Sequence, residues 1–240
     1  MKAVILAGGR GTRLAPYTTV LPKPLMPIGD KPIVDIVIRQ LCRHGFTDIT
    51  LAVGYLAELL MAYAGQGERF GLRIAYSREE EPLGTAGPLG LIPDLTDRFL
   101  VMNGDVLTGI NYTDMLANHQ ASGAIGTVAV YPRSVKIDLG VVEFDENQHL
   151  TQYIEKPTHH YRASMGIYIF EPRVLAYIPK NTPLDLPDLV KRLVTAGETV
   201  NCYHYDGYWL DIGSPDDYRQ AAADFGRLAG QLLPSDEPGI

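Results

Sequence analysis

The chain opens with Ala3-Val4-Ile5-Leu6-Ala7 and runs straight into Gly8-Gly9-Arg10-Gly11-Thr12-Arg13-Leu14. An apolar run of this kind reads as a parallel strand covered on both faces, which calls for an α/β sheet flanked by helices. The paired glycines beyond it accept positive φ and leave backbone amides bare, at the strand end where open α/β sheets bind ligands. Arg10, Arg13 and Lys23 follow closely, and Gly11 and Thr12 free the loop around Arg13, which is expected to point inward. Amides and cations together suit a polyphosphate.

Two familiar glycine patterns fit this loop badly. A dinucleotide fingerprint needs a third glycine where Leu14 stands, and a Walker loop needs a closing Gly-Lys-Ser/Thr that is missing here. The net charge of −7 argues against a nucleic-acid surface. Residues 1–31 nevertheless hold Lys2, Arg10, Arg13, Lys23 and Lys31 against Asp30 alone, +4, leaving −11 for the remainder. Positive charge is concentrated at the glycine loop.

With 240 residues and 46% hydrophobic composition, the chain has material for one large α/β domain. It has no apolar run long enough to span a membrane, and it lacks the features of a signal peptide, so a cytoplasmic protein is expected. Cys42 and Cys202 have no metal-ligand spacing and are expected to be reduced and structural. Strands are expected over 3–6, 49–53, 72–76, 99–102, 124–131, 139–144, 150–155 and 163–170. Helices are expected over 31–44, 55–64, 112–120, 187–196 and 215–228. The polar stretch Asp145-Glu146-Asn147-Gln148 separates two alternating runs and predicts a hairpin. His159, His160 and Tyr161 read as a polar loop, either a mobile lid or plain surface.

Two carboxylates stand out. Phe99-Leu100-Val101-Met102 ends in Asn103-Gly104-Asp105, and Tyr208-Trp209-Leu210 leads to Asp211, each just past an apolar run. A turn aspartate is the plain reading of Asp105, and helix capping that of Asp211, although Ser214 before Pro215 fills the cap better. Two aspartates from distant segments can also hold one Mg²⁺, with phosphate oxygens and water completing its shell.

The motifs Leu6-Ala7-Gly8-Gly9-Arg10-Gly11-Thr12-Arg13-Leu14-Ala15-Pro16-Tyr17-Thr18 and Pro22-Lys23-Pro24-Leu25-Met26-Pro27 closely resemble the opening of the sugar-1-phosphate nucleotidyltransferases. Gly84-Thr85-Ala86-Gly87, Asn103-Gly104-Asp105, Gly140-Val141-Val142-Glu143-Phe144, Glu155-Lys156-Pro157 and Trp209-Leu210-Asp211-Ile212-Gly213 extend the resemblance over residues 1–225. It implies a single Rossmann-like domain over residues 1–230, with a mostly parallel mixed sheet flanked by helices. A short tail over 231–240 would follow, with no C-terminal β-helix. It implies Mg²⁺ held by Asp105 and Asp211, and Arg13, Lys23 and Asp105 as the catalytic set. The nucleotide would meet Leu6, Ala7, Gly8, Gly9, Gly11, Thr12, Arg13, Gly84, Thr85, Asn103 and Gly104. The sugar phosphate would meet Gly140, Glu155, Lys156 and Ser164.

The substrates implied are an NTP and a sugar 1-phosphate, with neither nucleic acid nor membrane as partner and a homodimer allowed. Glu81-Pro82-Leu83-Gly84-Thr85-Ala86-Gly87-Pro88-Leu89 resembles the nucleotide segment of mannose-1-phosphate guanylyltransferases, and no glutamine of the thymidylyltransferase kind lies nearby. That favours GTP and a mannose- or heptose-type acceptor. Ser164-Met165-Gly166-Ile167-Tyr168 instead resembles ADP-glucose pyrophosphorylases. Thymidylyl or uridylyl transfer, a non-catalytic sugar-nucleotide regulator and an NAD-dependent oxidoreductase stand as alternatives.

Overall fold

A computed structural model describes residues 1–233. In chain order the elements are β1 (Lys2–Ala7), β2 (Pro27–Ile28), β3 (Lys31–Pro32), α1 (Ile33–Arg43), β4 (Asp48–Val53), α2 (Ala57–Ala64) and β5 (Arg73–Arg78). Next come β6 (Phe99–Asn103), β7 (Val106–Thr108), α3 (Tyr112–Ser122), β8 (Gly126–Lys136), β9 (Val141–Phe144), β10 (Leu150–Ile154) and β11 (Thr158–Phe170). The last are α4 (Leu186–Thr195), β12 (Val200–His204), β13 (Trp209–Asp211) and α5 (Pro215–Leu232). Seven strands form one sheet in the order β12-β8-β11-β6-β1-β4-β5, parallel throughout except for β11, which runs against both neighbours. The mostly parallel mixed sheet expected from the sequence is what forms.

The central position of β1 follows from its residues. Ala3, Ile5 and Ala7 pack on one face with Ile36, Val37 and Leu41 of α1, while Val4 packs on the other with Leu189 and Leu193 of α4. Full burial of such a side chain contributes about 1.5–3 kcal/mol, so the strand is fixed from both sides. Helix ends are chemically marked. Asn111 accepts hydrogen bonds from the Thr113 and Asp114 amides at the start of α3, and Ser214 accepts one from Asp217 ahead of Pro215 in α5. Ser214 thus takes the capping role and leaves Asp211 free of it.

Several boundaries differ from expectation. Lys31 and Pro32 pair with Ile28 and Pro27 in extended backbone, so α1 begins at Ile33. α5 continues to Leu232, whose side chain is buried and whose carbonyl accepts from Gln40 Nε2, so the folded unit extends past residue 230. Residues 234–240 of the expected tail lie outside the described residues. β11 begins at Thr158, five residues early, and carries His159, His160 and Tyr161 in register with Val135, Ser134 and Arg133 of β8. The expected loop is therefore a strand, because extended pairing with the long β8 satisfies the backbone that a loop would leave to water.

The outer halves of β8 and β11 project beyond the sheet and carry the predicted hairpin, β9 with β10, on an exposed arm. Asp145 closes its turn by accepting from the Asn147 and His149 amides. Both cysteines are free. Among the described residues no helix is long and apolar enough to cross a membrane.

Candidate active site

Two glycines of the first loop have separate reasons to lack a side chain, one the close approach of a neighbouring side chain and the other a left-handed backbone. A Cβ on Gly8 would stand 2.5 Å from Glu79 Oε1, and Gly11 adopts φ 61° while its carbonyl accepts from the Thr18 hydroxyl at 2.8 Å. Gly104 brings β6 against β1: its amide donates to the Leu6 carbonyl at 2.9 Å, and a Cβ would meet that oxygen at 2.8 Å. The result is two adjoining cavities at the carboxyl ends of β1 and β6. The larger, about 1080 Å³, is bordered by Leu6, Gly8, Gly9, Glu79, Gly84, Thr85, Asn103 and Asp105; the smaller, about 230 Å³, by Leu6, Ala7, Gly9, Gly11, Thr12, Arg13, Lys23, Gly104 and Asp105. All the residues expected from sequence to meet the nucleotide line one or the other.

A short antiparallel pair brings the aspartates together. β7 pairs with β13 so that Asp211 lies opposite Val106, and the Ile212 amide donates to the Asp105 carbonyl at 3.1 Å. The Lys23 ammonium, itself buried, pairs with Asp105 Oδ2, while Asp105 Oδ1 is buried with no hydrogen-bond partner in the protein. The carboxyl pKa of Asp211 is pushed up, first by burial and then by the Asp105 charge, with Lys23 and Arg13 opposing. Arg13 lies against Gly213, where a Cβ would stand 3.1 Å from Nη1, so Gly213 makes the room that the guanidinium occupies. Among the described residues no third His, Cys, Asp or Glu joins a metal-holding cluster.

The residues expected to meet the sugar phosphate are arranged differently. Glu155 and Lys156 are exposed at the junction of the hairpin with β11, Lys156 in left-handed backbone at φ 46°, and neither borders the two cavities. Gly140 packs under the Tyr153 ring. Ser164 Oγ lies 3.0 Å from the Tyr168 hydroxyl. It stands two residues from Gly166, whose φ of 72° and missing side chain admit the Asn103 amide. The break in the register of β11 between Ser164 and Tyr168 therefore brings the base of the arm against the end of β6.

Four residues emerge only in three dimensions. Glu79 lines the larger cavity with Oε1 over Gly8, and its other oxygen accepts from the Leu83 amide at 3.0 Å. Asp185 accepts from both the amide and the hydroxyl of Thr85 at 3.0 and 3.2 Å, and that hydroxyl accepts from the Leu186 amide at 2.7 Å. The Thr85 side chain is thus committed to the start of α4, although the residue borders the cavity. Trp209, on the same face of β13 as Asp211, carries the Arg133 guanidinium 5.2 Å from its ring centre. Trp209 stands in a recognised motif but in no expected strand, and Arg133 lies past the strand expected over 124–131; the roles of Glu79 and Asp185 have no signal in the sequence.

Asp105, Asp211, the buried Lys23 and the glycine-rich loop thus gather at the carboxyl edge of a Rossmann-like sheet, where open α/β proteins place their ligand crevice. The Nucleotidyl transferase family profile matches residues 2–227, and the chain belongs to that family. It is 38% identical over its whole length to a UTP–glucose-1-phosphate uridylyltransferase of Synechocystis, covering 66% of that protein. It is 36% identical over 91% of its length to the mannose-1-phosphate guanylyltransferase catalytic subunit beta of Dictyostelium discoideum, covering 62%. The chain thus spans just under two thirds of these curated relatives. Among solved structures, a putative glucose-1-phosphate thymidylyltransferase from Bacillus anthracis matches with a TM-score of 0.76 at 28% identity, covering 93% of this chain and 94% of that one.

Proposed function

We propose that this protein transfers a nucleoside monophosphate from an NTP to a sugar 1-phosphate and releases pyrophosphate. The observation that carries this reading is Asp105, which shares one oxygen with Lys23, keeps the other buried without a partner, and faces both cavities beside Asp211. An orphaned carboxylate oxygen beside a second carboxylate suits a hard divalent cation such as Mg²⁺. When bound, the ion supplies charge neutralisation at the phosphates. An oxygen of the acceptor phosphate forms the new bond to the α-phosphorus as the bond to the β-phosphate oxygen breaks in line. The attacking group is already anionic, so the protein needs no nucleophile of its own. The loop amides and Arg13 hold the β- and γ-phosphates, Lys23 serves the α-phosphate region, and Lys156 grips the sugar phosphate while Glu155 accepts from sugar hydroxyls.

GTP is the donor this reading favours. The Glu79 carboxylate is acceptor-only, and guanine offers it adjacent N1–H and N2–H donors. Uracil and thymine offer one N–H between two carbonyl oxygens that a carboxylate repels. The guanylyltransferase relatives support GTP with mannose 1-phosphate, while the Synechocystis relative supports UTP with glucose 1-phosphate as the second reading. A pyrophosphate-release screen of the common NTPs crossed with a panel of sugar 1-phosphates tests both. GTP is expected to be the preferred donor; a clear preference for UTP or dTTP refutes the base assignment. No release with any pair refutes the reaction and favours a non-catalytic regulator, or, if NADH binds unopposed by NTP, an oxidoreductase.

A further inference from the structure

Among the described residues the β9–β10 ribbon pairs with no strand outside itself. Its register sets Val142 opposite Tyr153 and Phe144 opposite Leu150, and continuing the alternation one residue past the strand ends puts Gly140 and Glu155 on that same face. Two of the residues assigned above to the acceptor therefore share a face with an aromatic ring that touches both. A Cβ on Gly140 would stand 2.6 Å from the Tyr153 Cζ, and the Tyr153 hydroxyl donates to Glu155 Oε2 at 3.4 Å. The ring fills the space that a side chain at 140 would take. Tyr153 is nevertheless 61% exposed, so it is not a core residue, and its truncation leaves no buried cavity.

We propose that Tyr153 is a positioning residue for the acceptor sugar, an inference that rests on the assignment of Gly140 and Glu155 to the acceptor. Its ring packs on the Gly140 backbone and its hydroxyl holds one oxygen of Glu155, leaving the other to accept from sugar hydroxyls. Without Tyr153, Glu155 is an exposed carboxylate on a ribbon that has little stability alone, free to take many rotamers. Its action is thus on acceptor binding and not on the nucleotide.

The test compares wild type with Tyr153→Phe, Tyr153→Ala, Glu155→Gln and the Tyr153→Phe/Glu155→Gln pair, using the whole chain and the substrate pair found by the screen. Tyr153→Phe keeps the ring and is expected to raise the acceptor KM about threefold to tenfold. Turnover at saturation and the NTP KM should stay within about twofold, and Tyr153→Ala should exceed Tyr153→Phe. In the Glu155→Gln background the Phe substitution should add less than about twofold, because its route of action is already gone. A wild-type acceptor KM in Tyr153→Phe, or an undiminished effect without Glu155, overturns the proposal while leaving the function intact. A wild-type chain that releases no pyrophosphate overturns the functional reading, and this inference falls with it.

Discussion

Gly8, Gly104 and Asp105 sit at the ends of strands covered on both faces, whereas Glu155 and Lys156 stand on an arm whose side chains meet solvent. The first half of the site is held by crowding, with backbone against backbone at Leu6 and Gly104 and with Lys23 buried against Asp105. The second is held by a ribbon and a few side-chain contacts, among them Tyr153 on Gly140. A rigid half suits a phosphate chain whose shape is common to every NTP. A lightly built half suits an acceptor whose identity varies between relatives, and there a substitution changes preference more readily than fold.

If the two halves divide the labour in this way, damage to the rigid half should cost the most. Excess EDTA is expected to abolish pyrophosphate release, because Asp105 and Asp211 repel each other and the reacting phosphates when no divalent ion lies between them; undiminished turnover breaks this assignment. Arg13→Ala should lower turnover by roughly 10² or more through lost stabilisation of the leaving pyrophosphate, checked by steady-state kinetics on a folded variant. Lys156→Ala should raise the acceptor KM about tenfold to a hundredfold with little change in the NTP KM, as expected for one lost charge-assisted contact.

The smallest effect falls on stability. The folded-state pKa of Asp211 lies above its unfolded value, so as pH rises the unfolded chain gives up this proton first. The contribution of Asp211 to stability is therefore present below the ordinary carboxylate range and is lost as pH climbs through the raised pKa. Asp211→Asn should melt higher than wild type at pH 7 in EDTA and lose this part of the pH dependence, even though it loses activity. A variant that melts lower would mean that the carboxylate is held by favourable contacts and not strained by burial.

The same contrast governs how much the sequence discloses. Strands β1, β4 and β6 are legible because all but one terminal residue of each (Lys2, Asp48 and Asn103) is apolar or buried, and the aspartates are legible as the first charged groups beyond apolar runs. Thr158-His159-His160-Tyr161-Arg162 offers no such run, since side chains exposed on both faces leave polar residues free to occupy a strand, and it reads as a loop. β12, with Asn201 and Cys202 at a sheet edge, and the three-residue strands β7 and β13 escape for related reasons: too few residues, too little burial. The pairing of β7 with β13 is what joins Asp105 to Asp211, and it links segments about a hundred residues apart that local patterning cannot connect. Glu79 and Asp185 take their places through tertiary contacts alone, Glu79 over Gly8 with the Leu83 amide donating to it, and Asp185 accepting from Thr85.

Whether two phosphates are held in two separate places is decided most directly by calorimetry on folded Lys156→Ala. NTP affinity measured without sugar should change by less than about threefold, while sugar 1-phosphate binding to the same variant weakens about tenfold or more. An equal weakening of both ligands would mean that Lys156 reaches the triphosphate or supports the fold, and would contradict the division between the buried loop and the exposed arm.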